Sequence, residues 1–221
     1  MTDQTPPPSD RTRLRRYNWL AHYDRETINA IIDASYVCQL GYAVDGVPFV
    51  TPTCHWRIGD HVYWHGSVGS RMLRAMEAGT QVCFSVTHID GIVFSRAAFN
   101  HNVLYRSVMA FGTTEQVAEE EKRDVLQTFI DRMAPGLWEA ARPPAEQEWK
   151  ASRVIRLRLD EVSAKVAAGL PEEEAEDLTR DTWAGHVPLR IVQDAPVPDP
   201  KLRPGIDVPG YVRDFRYPGV A

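Results

Sequence analysis

Positive charge is in short supply in this chain: 25 Lys and Arg stand against 30 Asp and Glu, a formal net charge of -5. A phosphate backbone or an anionic bilayer surface needs the opposite balance, so no nucleic acid and no membrane are expected as partners. Cysteine is scarcer still. Cys38, Cys54 and Cys83 are odd in number, far apart and without CxxC spacing, which excludes a disulfide framework and a zinc knuckle. The expectation is three reduced, partly buried thiols. No apolar run is long enough to span a bilayer, and the opening "MTDQTPPPSD" has neither the basic start nor the apolar stretch of a signal peptide. The expected location is the cytoplasm. Internal repeats, a Walker motif and a GxGxxG turn with a long parallel crossover are also missing.

What is present is the composition of a folded protein: 221 residues, 43% hydrophobic and 25% charged, with six Trp. A chain of this size can bury a single substantial core. Residues 1–14 read as a flexible N-terminal arm, residues 15–170 as one β-rich domain, and residues 171–221 as an extended, proline-rich C-terminal segment packing on it. The basic run "RTRLRR" reads as part of a solvated arm.

The helical signals are few. Asp24 stands as N-cap before a helix with Ile28, Ile31 and Ile32 on one face; "SRMLRAMEAG" reads as a short helix closed by Gly79; and Val125, Phe129 and Met133 give a third its apolar stripe. Between them the period is two. Tight turns at Asp45-Gly46, Gly59-Asp60 and Asp90-Gly91 separate alternating segments, and "RVIRLRLDEVSAKV" reads as the last strand. In "VPFVTPTCHWRI" the alternation assigns Pro48, Val50, Pro52, Cys54, Trp56 and Ile58 to the core and Thr51, Thr53, His55 and Arg57 to a polar, available face. The pattern implies a mainly β, antiparallel barrel with a few helices.

The segment "YWHGSVGSRM" carries the first functional signal. A strand, a glycine turn and a helix start form an anion site, in which Ser70 and Arg71 would complete a phosphate cradle. The same residues describe equally well a capped helix with a surface arginine. Arg106, flanked by apolar neighbours in "YRSVMAF", needs either an acidic partner or the same anion. Thr51, Thr53 and Ser85 offer hydroxyls to a phosphate with a polyol tail. His61 and His65 lie about 13 Å apart on an extended strand, too far to share one ion, so no metal site is expected. Both faces of that strand carry aromatic rings, Tyr63 and His65 opposite Val62 and Trp64, which reads as a subunit interface.

The stretches "YDRETINAIIDAS", "DGVPFVTPT", "HVYWHGSVGSRM", "DGIVFSRAAFNHNVLYRSVMAFG" and "EVSAKVAAGLPEEEAEDLTRDTWAGHVPL" together resemble the pyridoxamine 5′-phosphate oxidase-like FMN-binding split-barrel family, in its nitroimidazole-resistance-related branch. The resemblance implies a six-stranded antiparallel Greek-key split barrel and a homodimer with FMN at the interface. It implies FMN phosphate against Ser70 and Arg71, with Arg106 as a further cation. His65 and Gly66 would lie along the ribityl chain or ring edge, and Thr51, Pro52 and Thr53 would back the flavin, with Ser85 and Trp183 as further contacts. His65 matches the reactive histidine of that branch and is the catalytic candidate. The pattern is broken at Leu104, where relatives often carry Asn, and at Ala167, where Arg is usual. The function implied is an FMN-dependent oxidoreductase taking electrons from NADH or NADPH. A carrier that holds FMN without turnover and a haem-binding or haem-degrading protein with His55, His61 or His88 as axial ligand are the alternatives.

Overall fold

The structure is a computed structural model that describes residues 5–77, 79–171 and 173–220. In chain order its principal elements are β1 (Ala21–His22), α1 (Arg25–Asp33), β2 (Val37–Val44), β3 (Val47–Cys54), β4 (Trp56–Ile58) and β5 (His61–Ser67). There follow α2 (Arg71–Glu77), β6 (Gln81–Phe94), β7 (Asn102–Thr113), β8 (Glu115–Gln116), α3 (Glu119–Met133), β9 (Ser152–Arg158), β10 (Glu161–Ala167) and β11 (Gly185–Pro188). Every strand pairing is antiparallel. The architecture is the expected mainly β one. The larger sheet runs β1-β10-β7-β6-β2-β3, with β11 added to β6; the smaller runs β4-β5-β9-β8.

The main core lies between the two sheets. Val62, Trp64, Ile155 and Leu157 of the smaller sheet meet Leu40, Phe84, Val86, Val108 and Ala164 of the larger, while α1 and α2 add Ile28, Ile31, Ile32, Leu73 and Met76. Asp24 caps α1 as expected: its side chain accepts from Thr27 N–H at 2.8 Å, which also lowers its pKa. A second core on the reverse side of the smaller sheet packs Val125 and Phe129 of α3 against Trp56, Tyr63 and Val154. These rings are therefore covered within one chain, and the reading of the β5 aromatic pair as a subunit interface is overturned.

Two alternating segments that read as single strands are bent. The chain leaves the larger sheet after Cys54 and enters the smaller at Trp56, and the reverse crossing occurs between Arg158 and Glu161. At the first corner His55 breaks the alternation. It is fully buried, with its Nε2 3.1 Å from the Ile32 carbonyl, and Arg132 donates to the carbonyls of His55, Asp33 and Ser35. The assignment of faces in β3 is consequently reversed. Phe49, Thr51 and Thr53 turn inward, whereas Pro48, Val50, Pro52 and Cys54 are exposed.

Asp90-Gly91 is a bulge, not a turn. β6 runs through it for fourteen residues, with the register to β7 shifting between Ile89 and Gly91. A Cβ at Gly91 would lie 2.8 Å from the Val187 carbonyl, so the glycine admits β11 onto the sheet. Near the N-terminus Thr12 is buried, and Ser9 and Arg11 both reach Glu161. Among the described residues no helix is long and apolar enough to cross a membrane.

Candidate functional site

The glycine turn after β5 folds as its sequence dictates. Ser67 Oγ accepts from Gly69 N–H at 3.2 Å, and Ser70 Oγ accepts from Leu73 N–H at 3.1 Å, capping α2. The Ser70 hydroxyl proton remains available to a ligand oxygen. Gly66 is where β5 and α2 touch: a Cβ there would sit 2.6 Å from the Leu73 side chain. Its first role is thus to let α2 approach, which fixes where Ser70 and Arg71 stand.

Arg71 is exposed, and among the described residues it pairs with no carboxylate. Its guanidinium lies over the Phe49 ring at 4.7 Å, and Phe49 stacks on Tyr42 at 5.6 Å. The Tyr42 hydroxyl lies 3.3 Å from Thr51 Oγ1. Structure therefore gathers Thr51, Ser70 and Arg71 around Tyr42 and Phe49, at an open corner where β3 forms the edge of the larger sheet. Thr53 lies two residues along the same inward face of β3. Tyr42 and Phe49 were not singled out from the sequence, since an aromatic pair across a hairpin reads as core.

The other expected contacts stand elsewhere. Pro52 and Ser85 belong to the opposite, outward face of the larger sheet, in the cross-strand row Pro52, Gln39, Ser85, Met109, Ser163. Arg106 has its acidic partner: Nε and Nη2 each bond the bulge residue Asp90 at 2.9 Å. Trp183 lies beside Phe94, at the far end of β6 from α2, and remains 67% exposed.

His65 alternates with Gly66 and so faces the second core, its ring 5.4 Å from Phe129 and 5.9 Å from Trp56. Burial lowers its pKa and keeps the ring neutral, and its Nδ1 is buried without a hydrogen-bond partner among the described residues. His55 and His88 each direct Nε2 at a carbonyl near the end of α1, those of Ile32 and Ile31, at 3.1 and 2.9 Å. Desolvation takes His55 down to about 4. His61 has no side-chain hydrogen bond among the described residues, and desolvation lowers its pKa as well.

The outward face of the larger sheet carries Val37, Val50, Ile89 and Met109 in solvent, with Val50 71% exposed. A separate cleft of about 610 Å3 opens beside β7 and β10, lined by Tyr17, Trp19, Phe99, His101 and Lys165 among others. Of its lining, Leu104 and Ala167 stood out in the sequence, as breaks in the family pattern, and the aromatic residues did not. The signal available was the aromatic pair Tyr17 and Trp19 closing the basic run.

Comparison with known proteins fits this architecture. The pyridoxamine 5′-phosphate oxidase family model matches residues 24–166. The flavocytochrome Anf3 from Azotobacter vinelandii is 43% identical, over 96% of this chain and 99% of its own, with a TM-score of 0.91. The FAD and heme binding protein from Mycobacterium smegmatis is 33% identical over 89% of this chain and 97% of its own, with a TM-score of 0.85. A candidate 5-nitroimidazole antibiotic resistance protein from Bacteroides thetaiotaomicron, 19% identical over 66% of this chain and 86% of its own, shares the fold at a TM-score of 0.55. No curated protein matches. With more than half of its length under the family model and its sheets, turns and α2 corner laid out as above, the chain belongs to the pyridoxamine 5′-phosphate oxidase family of split-barrel proteins.

Proposed function

We propose that this chain is a two-cofactor redox protein, binding a flavin and a haem and working as a homodimer. The observation that carries the reading is its likeness, over nearly the whole of both chains, to a flavocytochrome and to an FAD and heme binding protein. The α2 corner fits the flavin. An unpaired arginine held on an aromatic ring, a serine hydroxyl at a helix start and a threonine hydroxyl suit the phosphate that FMN and FAD have in common. FMN itself is the simplest ligand of that corner. Arg106 is not counted among the phosphate cations, because Asp90 already neutralises it.

A haem iron needs a neutral imidazole with an uncommitted ring nitrogen. His55 and His88 direct Nε2 at backbone carbonyls and so, like His65, keep Nδ1 uncommitted; His55 is wholly enclosed in the core, and His61, His65 and His88 suit the role better. Bound flavin would supply hydride acceptance from a reduced nicotinamide, and haem would supply one-electron transfer to a small acceptor. The protein's own residues orient the cofactors, keep His65 neutral and exclude water around it through Trp56 and Phe129. The exposed apolar residues of the larger sheet support a second copy as their cover.

The flavin site is tested by fluorescence titration of Arg71→Ala with FMN and with riboflavin. Loss of a charge-assisted bond to a phosphate predicts FMN weakened by about 1.5 to 3 kcal/mol, roughly 10- to 100-fold, with riboflavin nearly unchanged. Equal losses for both ligands, or none, would remove the phosphate from this corner.

A further inference from the structure

The lining of the cleft beside β7 and β10 runs against the net charge of the chain. The chain is acidic overall, yet no Asp or Glu lines this cleft among the described residues, while Arg16, Lys165 and His101 all do. Neither Arg16 nor Lys165 pairs with a carboxylate among the described residues. They rest instead on aromatic faces: the Arg16 guanidinium lies 5.1 Å from the Tyr17 ring centre, and Lys165 Nζ lies 5.8 Å from Tyr17 and 5.2 Å from Tyr105. Cations held over rings and left without counter-charge present an electropositive wall.

His101 adds a directed donor. Its Nδ1 accepts from Ser95 N–H at 2.9 Å, so the neutral ring carries its proton on Nε2. That tautomer can donate to an anion and has no lone pair on Nε2 for a metal ion. The loop holding it is pinned by Glu173, which accepts from Ser95 Oγ at 2.8 Å and from the Arg96 backbone and side chain.

Beside Asn100 and Asn102, the remaining lining is largely apolar. Phe99 is 91% exposed, and Trp19 stands edge-on to Tyr17 at 5.3 Å. Tyr17 has φ 55 and ψ 47, a left-handed conformation that costs a non-glycine residue energy and is kept here where its ring meets both cations. Rings offered to solvent for stacking, beside cations awaiting an anion, describe a ligand with a planar base and a phosphate. The cleft has the size of a nucleotide site.

We propose that this cleft binds the adenosine phosphate portion of a nucleotide, its base against Trp19 and Phe99 and its phosphates against Arg16, Lys165 and His101. Two sources share that chemistry, the tail of the protein's own FAD and a nicotinamide dinucleotide. The site stands on its own residues and does not require the flavin reading.

The test titrates the chain, dialysed free of bound nucleotide, with ADP, adenosine, FMN, FAD and NADPH, following tryptophan fluorescence. ADP should bind saturably. Lys165→Gln should weaken ADP by about 10- to 100-fold while adenosine changes little, because only the charged bond is lost. Phe99→Ala should weaken both ligands without lowering the melting temperature, since that ring is in solvent. FAD binding tighter than FMN, with the difference abolished in Lys165→Gln, assigns the cleft to the cofactor's own tail. FAD and FMN binding alike, with NADPH binding lost in Lys165→Gln, assigns it to the electron donor. ADP that fails to bind, or that binds both variants as tightly as the parent chain, overturns the proposal. ADP binding without any flavin binding leaves the cleft standing and removes the flavin reading.

Discussion

His55 shows how a single side chain can escape a reading by alternation. Its neighbours in sequence put it on an available polar face, whereas the fold places it at a corner, fully buried against Phe84 with its Nε2 on the Ile32 carbonyl. The charges around it oppose one another, Arg132 and His88 lowering its pKa and Asp33 raising it, so desolvation decides the outcome. The folded chain keeps the ring neutral down to about pH 4, while an unfolded chain protonates it near the ordinary value of 6.5. Stability complete above that value is therefore lost as the pH falls through this window, by up to about 3 kcal/mol. Thermal melting at neutral pH and at about pH 5 checks this: the parent chain should lose more than His55→Gln, whose amide can still donate to Ile32 and does not titrate. Equal losses would relieve His55 of the acid sensitivity. The cap at Ser70, by contrast, was legible, because a cap is a local property. Arg106 was half legible: the need for a partner was visible, but the identity of Asp90 depends on a bulge.

At the scale of elements, helix positions and most strand positions followed from period and turn chemistry. Corners did not. Alternation continues smoothly through His55 and through Leu159-Asp160, and only packing of two sheets around one core makes the chain change sheet there. Asp90-Gly91 misled for a related reason: the dipeptide that favours a turn also accommodates a bulge, and the long pairing with β7 selects the bulge. Two of the close-approach glycines, Gly66 and Gly91, separate by what they face. An added Cβ at Gly66 meets the movable end of Leu73, whereas one at Gly91 meets the β11 backbone. Gly91→Ala should therefore cost more than Gly66→Ala, about 1 to 3 kcal/mol, and should release β11. Hydrogen exchange at Val187 and Leu189, whose N–H is bonded to the Asp90 carbonyl, reads that release. Unchanged protection there would show that β11 is held by something other than this contact.

For the whole molecule, the architecture and the family were legible from motifs spread along the chain, since turn, cap and strand signals agree with one another. The surface was less so. The apolar face placed on β5 is covered by α3, and the exposed one lies on the outward side of the larger sheet, because the face of β3 was reversed at the His55 corner. A homodimer formed through that outward face would bury Val37, Val50, Ile89 and Met109, and light scattering should return twice the 25.0 kDa chain mass. A monomer at micromolar concentration would leave those residues without cover and remove the dimer from the reading. The most direct test of the redox proposal is the visible absorption spectrum of the purified chain before and after NADH or NADPH. The expected result is flavin absorption together with a Soret band, the flavin bleaching and the haem bands shifting as electrons arrive. A spectrum with neither chromophore, unaltered after reconstitution with flavin and haemin, would contradict it.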